Sequence, residues 1–315
     1  MLQTKPVKSF SVTEAGILRQ IAGDFNPDAI ITYGGPETFL SRWLGLSTSC
    51  KILRFRGQEL PPTRYFLDLK QRFALRSIDV TLTPSKAMAQ EMRGRRLHSH
   101  IESVLLGCDT ERFHRVSPGE PPRSQGRPEL VIFGRFDPVK GHREFMQIFA
   151  DLLDQCPVTI PRPFLHIVGQ AANLSGTDLL HAAAACGLRQ TDYRVTEERI
   201  ENVSALMSRA SIGVVSSLDS EVICRVAEEF LLCGTPVLVS GVGSLHEVLV
   251  DPSCGASYFD MSRSQAGEVI RSWAARSWSE SEADKAARAA LAKKHFSLEV
   301  MGDRLSQLIS QIKGL

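Results

Sequence analysis

The chain has no C-x-x-C pair, and its cysteines, Cys50, Cys108, Cys156, Cys186, Cys224, Cys233 and Cys254, are seven, an odd number. That usage fits a reduced chain better than a disulfide framework, and it suggests no metal site. Long apolar runs are also missing: nothing approaches the roughly 18 consecutive apolar residues that cross a bilayer. The stretch Met1 to Phe10 lacks the apolar core of a secretory signal. A cytoplasmic protein, soluble or peripheral at the membrane face, is therefore expected. Tryptophan is scarce and dispersed, at Trp43, Trp273 and Trp278, which offers no stacking platform for nucleic acid. There is no G-x-x-x-x-G-K-[ST] loop and no complete G-x-G-x-x-G, so a P-loop or dinucleotide reading lacks its central evidence.

What is present is enough apolar residue for ordinary folding, 43% of a chain of 315 residues. Single cores stop growing at about 250–300 residues, so two domains are expected. The net charge of +2 hides an asymmetry: residues 1–126 hold 18 Lys and Arg against 12 Asp and Glu, while the remainder holds 19 against 23. A basic first half suits either contact with anionic lipid or plain solvated charge, and composition leaves both open.

From Asp28 onward, short β-branched runs alternate with amphipathic stretches: Asp28–Tyr33, Pro36–Leu44, Cys50–Phe55, Arg64–Arg76, Asp79–Thr83, Ser85–Arg93 and Ile101–Leu106. This βαβ rhythm predicts a parallel sheet flanked by helices, preceded by a helix near Thr13–Gly23. Ser117–Pro128, SPGEPPRSQGRP, has no apolar period and reads as a linker. The rhythm then restarts at Leu130 and runs through six strands. The expected organisation is an N-terminal domain over 1–116, a linker over 117–128, a second domain over 129–296 and a closing helix over 297–315 that lies back across the first domain.

Two stretches carry candidate chemistry. Gly134–His142 sits between a predicted strand and helix, where an open α/β sheet binds ligands and a helix N-terminus offers free N–H groups to anions. Arg135 and Lys140 there can flank a diphosphate, the arginine through its fork and the lysine as a point charge; a solvated turn is the alternative. His142 reads as a helix N-terminal residue. In the second stretch, Glu221 and Glu229 stand eight residues apart, about 12 Å along the axis if all eight steps are helical. That is too far for a paired acid and base, and it suits the two ends of an extended ligand. Glu228 reads as a surface acid.

These stretches resemble motifs of the retaining family-four glycosyltransferases, which have the GT-B fold of two Rossmann-like doubly wound domains. Gly134–Gly141 is similar to their G-R-x…K-G loop, and Glu221…Glu229 to their E-x7-E motif. Cys233–Val237 is similar to C-G-x-P-V, Gly241–Val248 to v-G-g-x-x-E-v, and Gly107–Phe113 to G-v-D…F, with Ser85–Ala89 before it. The five motifs occur in the family's order and spacing. The resemblance implies that Arg135 and Lys140 hold a donor diphosphate, that Glu229 contacts a ribose, and that Glu221 contacts the transferred sugar beside the amides of Ile223, Cys224 and Arg225. It places Val195 near the base. Glu221, Arg135 and Lys140 would be the catalytic group. Fixed cations and amides stabilise the charge that develops on a departing nucleoside diphosphate without a metal or other cofactor.

Arg54–Pro62 is similar to an R-x-R-G-[DQ]-x-x-P-P stretch of a bacterial subgroup associated with lipopolysaccharide and other cell-surface glycans. Arg54, Arg56 and Glu59 are thereby candidates for acceptor or sugar contact, with ion pairing among themselves as the alternative. Only 27 residues precede Asp28, fewer than the family's first βα units and Gly-rich loop require, so the N-terminal Rossmann-like domain is expected to be incomplete. Two functions follow from the resemblance. One is transfer of a hexose-like or heptose-like sugar from a nucleotide-diphosphate donor to a cell-envelope glycan or glycolipid. The other is nucleotide-sugar binding or assembly without transfer.

Overall fold

A computed structural model describes residues 12–44, 50–76, 78–116, 126–155, 161–219, 221–223, 225–258 and 260–313. The chain divides into two compact units, one comprising residues up to Leu105 together with those from Met301, the other Leu106–Val300. Most of the expected linker, residues 117–125, lies outside the described residues.

The first unit runs α1 (Val12–Phe25), β1 (Ala29–Thr32), α2 (Gly35–Trp43), β2 (Lys51–Phe55), α3 (Tyr65–Leu75), β3 (Val80–Thr83), α4 (Lys86–Gly94) and β4 (Ile101–Ser103). Its four strands are parallel and pair in chain order, β1-β2-β3-β4. Parallel neighbours need crossovers, and the intervening helices supply them. Val80–Thr83 is buried at every position, as expected of a strand covered on both faces. Ser85 caps α4 by accepting from the Met88 amide at 3.2 Å, which stops the strand and starts the helix in the space of two residues. In the C-terminal helix, Arg304 donates to Glu102 at the end of β4 at 2.9 Å.

The second unit contains β5 (Glu129–Phe133), a 3₁₀ turn (Pro138–Lys140), α5 (His142–Asp154), β6 (Phe164–Val168), α6 (Gly176–Ala185), β7 (Tyr193–Thr196), α7 (Val203–Arg209), β8 (Ile212–Val215), α8 (Arg225–Leu232), β9 (Val237–Val239), a second 3₁₀ turn (Leu245–Val248), β10 (Gly255–Ser257), α9 (Arg263–Trp278) and α10 (Glu282–Phe296); α11 (Leu298–Lys313) follows. Its six parallel strands lie in the order β10-β9-β8-β5-β6-β7. Phe145, Phe149 and Leu152 of α5 pack with Leu130 and Ile132 of β5, Ile212 and Val214 of β8 and Ile270 of α9 in one core. Helices α6, α9 and α10 each begin with a capping box, Ser175/Asp178, Ser262/Gln265 and Ser281/Asp284, so their starts are written locally.

Helix α10 packs on α8 and carries Arg288, which is buried and donates to the Gly234 carbonyl at 2.7 Å, to the Ser253 carbonyl at 2.6 Å and to Glu280. Because α10 covers the side of α8 that the sheet does not, Ala227 through Leu232 are all buried. The reading of Glu228 as a surface acid is therefore corrected. Glu228 is 4% exposed and accepts the Cys108 thiol at 3.2 Å.

Candidate functional site

The decisive feature of the second sheet is its strand order. From β5 the chain builds outward through β6 and β7, then returns to β8 on the other side of β5 and builds outward through β9 and β10. The order reverses between β5 and β8, and at such a switch point the loops leaving the carboxyl ends of the two strands part to leave a crevice. Ile132 pairs with Val214, so Gly134–Arg135 and Ser216–Ser217 emerge side by side at that end.

The two loops are fastened to each other. Leu218 N–H donates to the Val139 carbonyl at 2.8 Å, and Ser216 Oγ donates to the Lys140 carbonyl at 2.8 Å. Gly141 has φ +67°, and a Cβ there would lie 2.0 Å from the Ser216 carbonyl oxygen, so only glycine lets α5 start this close to the β8 loop. Asp137 shapes the 3₁₀ turn by accepting from the Val139 amide at 3.1 Å and is held from the β6 side by Asn173 at 2.7 Å. Gly169 admits the β5 loop from the same side: its Cβ would stand 1.7 Å from the Gly134 carbonyl oxygen.

Between these loops lies a cavity of about 500 Å³ lined by Gly134, Arg135 and Lys140 from the first loop and Ser216, Ser217, Glu221, Ile223 and Arg225 from the second. This falls in the size range of small-molecule sites. Five cationic side chains line it, Arg112, Arg135, Lys140, Arg199 and Arg225, against two acids, Glu198 and Glu221, an excess that favours an anionic ligand. Lys140 Nζ donates to Glu221 Oε1 in a close ion pair, and Ser217 Oγ donates to the same oxygen at 2.5 Å. The backbone of Glu221 is fixed as well: its carbonyl accepts from Ser244 N–H at 3.0 Å and Ser244 Oγ at 2.8 Å.

Of the residues singled out in the sequence, the fold thus gathers Arg135, Lys140, Glu221, Ile223 and Arg225 around one cavity. Cys224 lies outside the described residues. Helix α8 begins only at Arg225, so Glu221 stands before the helix in a loop, and the helical spacing assumed between Glu221 and Glu229 does not apply. Glu229 is buried in α8 and is not among the lining residues; burial pushes its pKa up to about 7, opposed by Arg225 and Arg112. Val195 sits in β7 packed against the core, and the lining on that side comes from Glu198, Arg199 and Ile200 instead.

Arg54, Arg56 and Glu59 belong to the first unit. Arg56 donates to Gln71 Oε1 at 3.1 Å and to the backbone carbonyl of Glu59 at 3.0 Å. Burial, with Arg54 and Arg95 nearby, brings the Arg56 pKa down to about 10, while burial lowers that of Arg54 against the pull of Glu37.

Among the lining residues that the sequence reading did not single out is Arg112, and His142, read as a helix N-terminal residue, also lines the cavity. Arg112 is delivered by the Gly107–Phe113 stretch. Gly107 fits where a Cβ would come 2.6 Å from the Ser297 carbonyl oxygen, and Asp109 accepts from the Glu111 and Arg112 amides at 3.0 and 3.2 Å. The motif's visible residues are thus the frame, and the cavity residue is an unremarked position inside it. His142, first residue of α5, is 1% exposed, with both ring nitrogens unpartnered and its ring edge-on to Phe136 at 5.9 Å. Burial pushes its pKa down to about 4, opposed by the neighbouring Asp137 carbonyl, so the ring is a neutral imidazole in the cavity wall.

The family model for glycosyl transferases group 1 matches residues 116–290, more than half of the chain and the whole of this cavity apart from Arg112. The chain belongs to the glycosyl transferases group 1. Its fold is the GT-B fold, α/β with two Rossmann-like domains. Solved structures it resembles include a glycosyltransferase from Rickettsia africae (TM-score 0.77, 13% identity, covering 99% of this chain and 84% of that one). HepE from Anabaena in complex with UDP and glucose aligns with TM-score 0.71 and 17% identity over 94% of this chain and 81% of that one. Sucrose-phosphate synthase from Thermosynechococcus elongatus aligns with TM-score 0.69 and 17% identity over 99% and 82%. No curated protein matches the chain by sequence. Within the group 1 family the cavity at the β5/β8 switch point is thus the natural place to seek the substrate.

Proposed function

We propose that this protein transfers a hexose-like or heptose-like sugar, with retention of anomeric configuration, from a nucleotide-diphosphate donor to a cell-envelope glycan such as lipopolysaccharide at the cytoplasmic membrane face. One observation carries the donor half of this reading: Arg135, Lys140 and Glu221, from two loops that chain order keeps far apart, line one cationic cavity at the switch point of the sheet. The diphosphate lies against Arg135 and Lys140, whose charges meet the negative charge that builds on the leaving phosphate. The sugar lies at Glu221, near the amides of Ile223 and Arg225. Glu229 serves the ribose end through Arg112 and Arg225, two lining cations whose charges act on its carboxylate, and the base lies toward Ile200, five residues beyond Val195. The donor needs no metal. UDP and glucose in the HepE structure make UDP-glucose the first donor to try.

The acceptor half rests on the R-x-R-G stretch. Arg54, Arg56 and Arg95 crowd together, with Asp68 and Glu91 engaged on Arg95, and an anionic acceptor group relieves that crowding. The test incubates the protein with UDP-, GDP- and ADP-sugars and follows release of free nucleotide diphosphate, with and without lipopolysaccharide-type acceptors. Turnover with one donor class supports the reading. Tight nucleotide binding without turnover on any donor or acceptor replaces it with the second reading, a non-catalytic nucleotide-sugar-binding or assembly protein.

A further inference from the structure

Two buried histidines of the second unit are treated in opposite ways by their surroundings. His166, on β6, has both ring nitrogens occupied, Nδ1 with Glu129 at 3.1 Å and Nε2 with Thr196 at 2.9 Å. His142, at the start of α5, is the more deeply buried, and neither of its nitrogens has a partner. Among the described residues of the second unit these are the only buried side-chain nitrogens or oxygens left so; the other cases, on Glu37, Arg56 and Gln71, lie in the first unit. An orphaned buried polar group costs stability that leucine or phenylalanine in its place would not. Packing against Phe136 accounts for where the ring sits and leaves its nitrogens unexplained. His142 lines the switch-point cavity, so a ligand there comes within reach of the ring.

The neighbours of the ring fix what kind of ligand group it lacks. The Asp137 carbonyl favours a proton on the ring but stands outside hydrogen-bond geometry. A carbonyl only accepts, and a neutral imidazole has one N–H. The proton therefore sits on the nitrogen toward Asp137, and the other nitrogen keeps a lone pair. The charge of Lys140 opposes a second proton, and its ammonium is committed to Glu221. Phosphate oxygens accept and do not donate, so a diphosphate among the cavity's cations leaves the lone pair unfilled. A hydroxyl fills it, and a sugar nucleotide carries hydroxyls on both sides of its diphosphate.

We infer that His142 is a specificity-determining residue for the donor: a hydroxyl of the bound sugar nucleotide, on the ribose or on the transferred sugar, donates to its unprotonated ring nitrogen. The inference rests on the proposed donor site and gives that site a residue that selects for a hydroxyl where Arg135 and Lys140 select for charge.

The test is calorimetric titration of the full chain with UDP, GDP and ADP and with the glucose derivative of each; the base that binds best supplies the pair of probes. His142→Phe should bind about three- to tenfold more weakly than the parent, the worth of one neutral hydrogen bond. Weakening of both probes assigns the hydroxyl to the ribose, and weakening of the glucose derivative alone assigns it to the sugar. Without ligand, His142→Phe should unfold at a temperature no lower than the parent's, since it buries no orphaned nitrogen. His142→Asn and His142→Gln carry an amide oxygen near the Nδ1 and Nε2 positions, and one of them should recover part of the lost affinity. In nitrogen-15 spectra of the histidine rings, the unprotonated nitrogen of His142, identified by its absence in His142→Phe, should shift on ligand binding while the ring stays neutral. Unchanged affinity in His142→Phe overturns the inference, because water then serves the ring. So does an equal loss in all three variants with a lowered unfolding temperature, which makes the ring a packing element, and so does a ring that gains a second proton on binding, which makes it a donor to phosphate. A parent chain that binds none of the probes refutes the donor reading and this inference with it, whereas binding by the parent beside an indifferent His142→Phe refutes the inference alone.

Discussion

Replacing Glu228 by glutamine should remove a pH dependence of stability that the fold itself creates. Burial raises the Glu228 pKa from its ordinary 4.5 to about 8, helped by the neighbouring Glu229 and opposed by the Cys108 thiol and Arg225. In the folded protein the carboxyl keeps its proton through the pH range in which the unfolded chain gives it up. Its contribution to stability is complete below 4.5 and is lost as pH rises toward 8. At about 1.4 kcal/mol per pH unit, over the two to three units between pH 5 and pH 8 in which occupancy differs, the loss is about 3 kcal/mol. Glutamine has the same shape, can still accept the Cys108 thiol and cannot ionise. Urea unfolding of parent and variant at pH 5 and pH 8 measures this. Whatever constant offset the amide introduces, the variant should gain about 3 kcal/mol on the parent between the two pH values. Parallel pH profiles would refute the argument, because they would mean that Glu228 ionises as readily folded as unfolded.

Other expectations are more local. Lys140→Ala should weaken nucleotide-sugar binding by about 1–3 kcal/mol, the worth of a charged hydrogen bond, as read by calorimetric titration, and unchanged affinity would remove Lys140 from the diphosphate site. Gly141→Ala should lower the melting temperature and donor affinity together, because a left-handed alanine costs about 1–2 kcal/mol and its methyl group meets the Ser216 carbonyl. Arg288→Ala should destabilise the second unit by about 3–5 kcal/mol, the cost of leaving a buried partner charge uncompensated; here Glu280 would be stranded. Chemical denaturation reads the difference, and a loss below about 1 kcal/mol would show the pair to be solvated.

The strands and the two loops at β5 and β8 were legible because their signals are local. A β-branched run ending in glycine, followed by a cation and an amphipathic stretch, describes a strand, a turn and a helix start without reference to the rest of the chain. The order of the strands was not legible, since parallel pairing leaves no mark on the residues between. Glu228 was misread for a related reason: periodicity shows which side of α8 meets the sheet, but only the return of α10 buries the other side. His142 carried a signal, its place at the start of a helix directly after the Gly134–Gly141 loop, yet its burial depends on Phe136 and the packing of α5. Arg112 carried none, being one arginine among many until the turn at Asp109 aims it. Val195 was placed by motif position, whereas the cavity lining after β7 begins at Glu198, three residues further along.

The contact between Gly141 and the Ser216 carbonyl has a practical consequence for anyone wishing to alter donor choice. With no clearance between them, the loops bearing Lys140 and Glu221 form one jaw, and reshaping either one displaces both. Libraries aimed at a different nucleotide should leave that jaw intact and vary the cavity wall at Glu198, Arg199 and Ile200, in the segment after β7, where side chains can change without displacing Lys140 or Glu221.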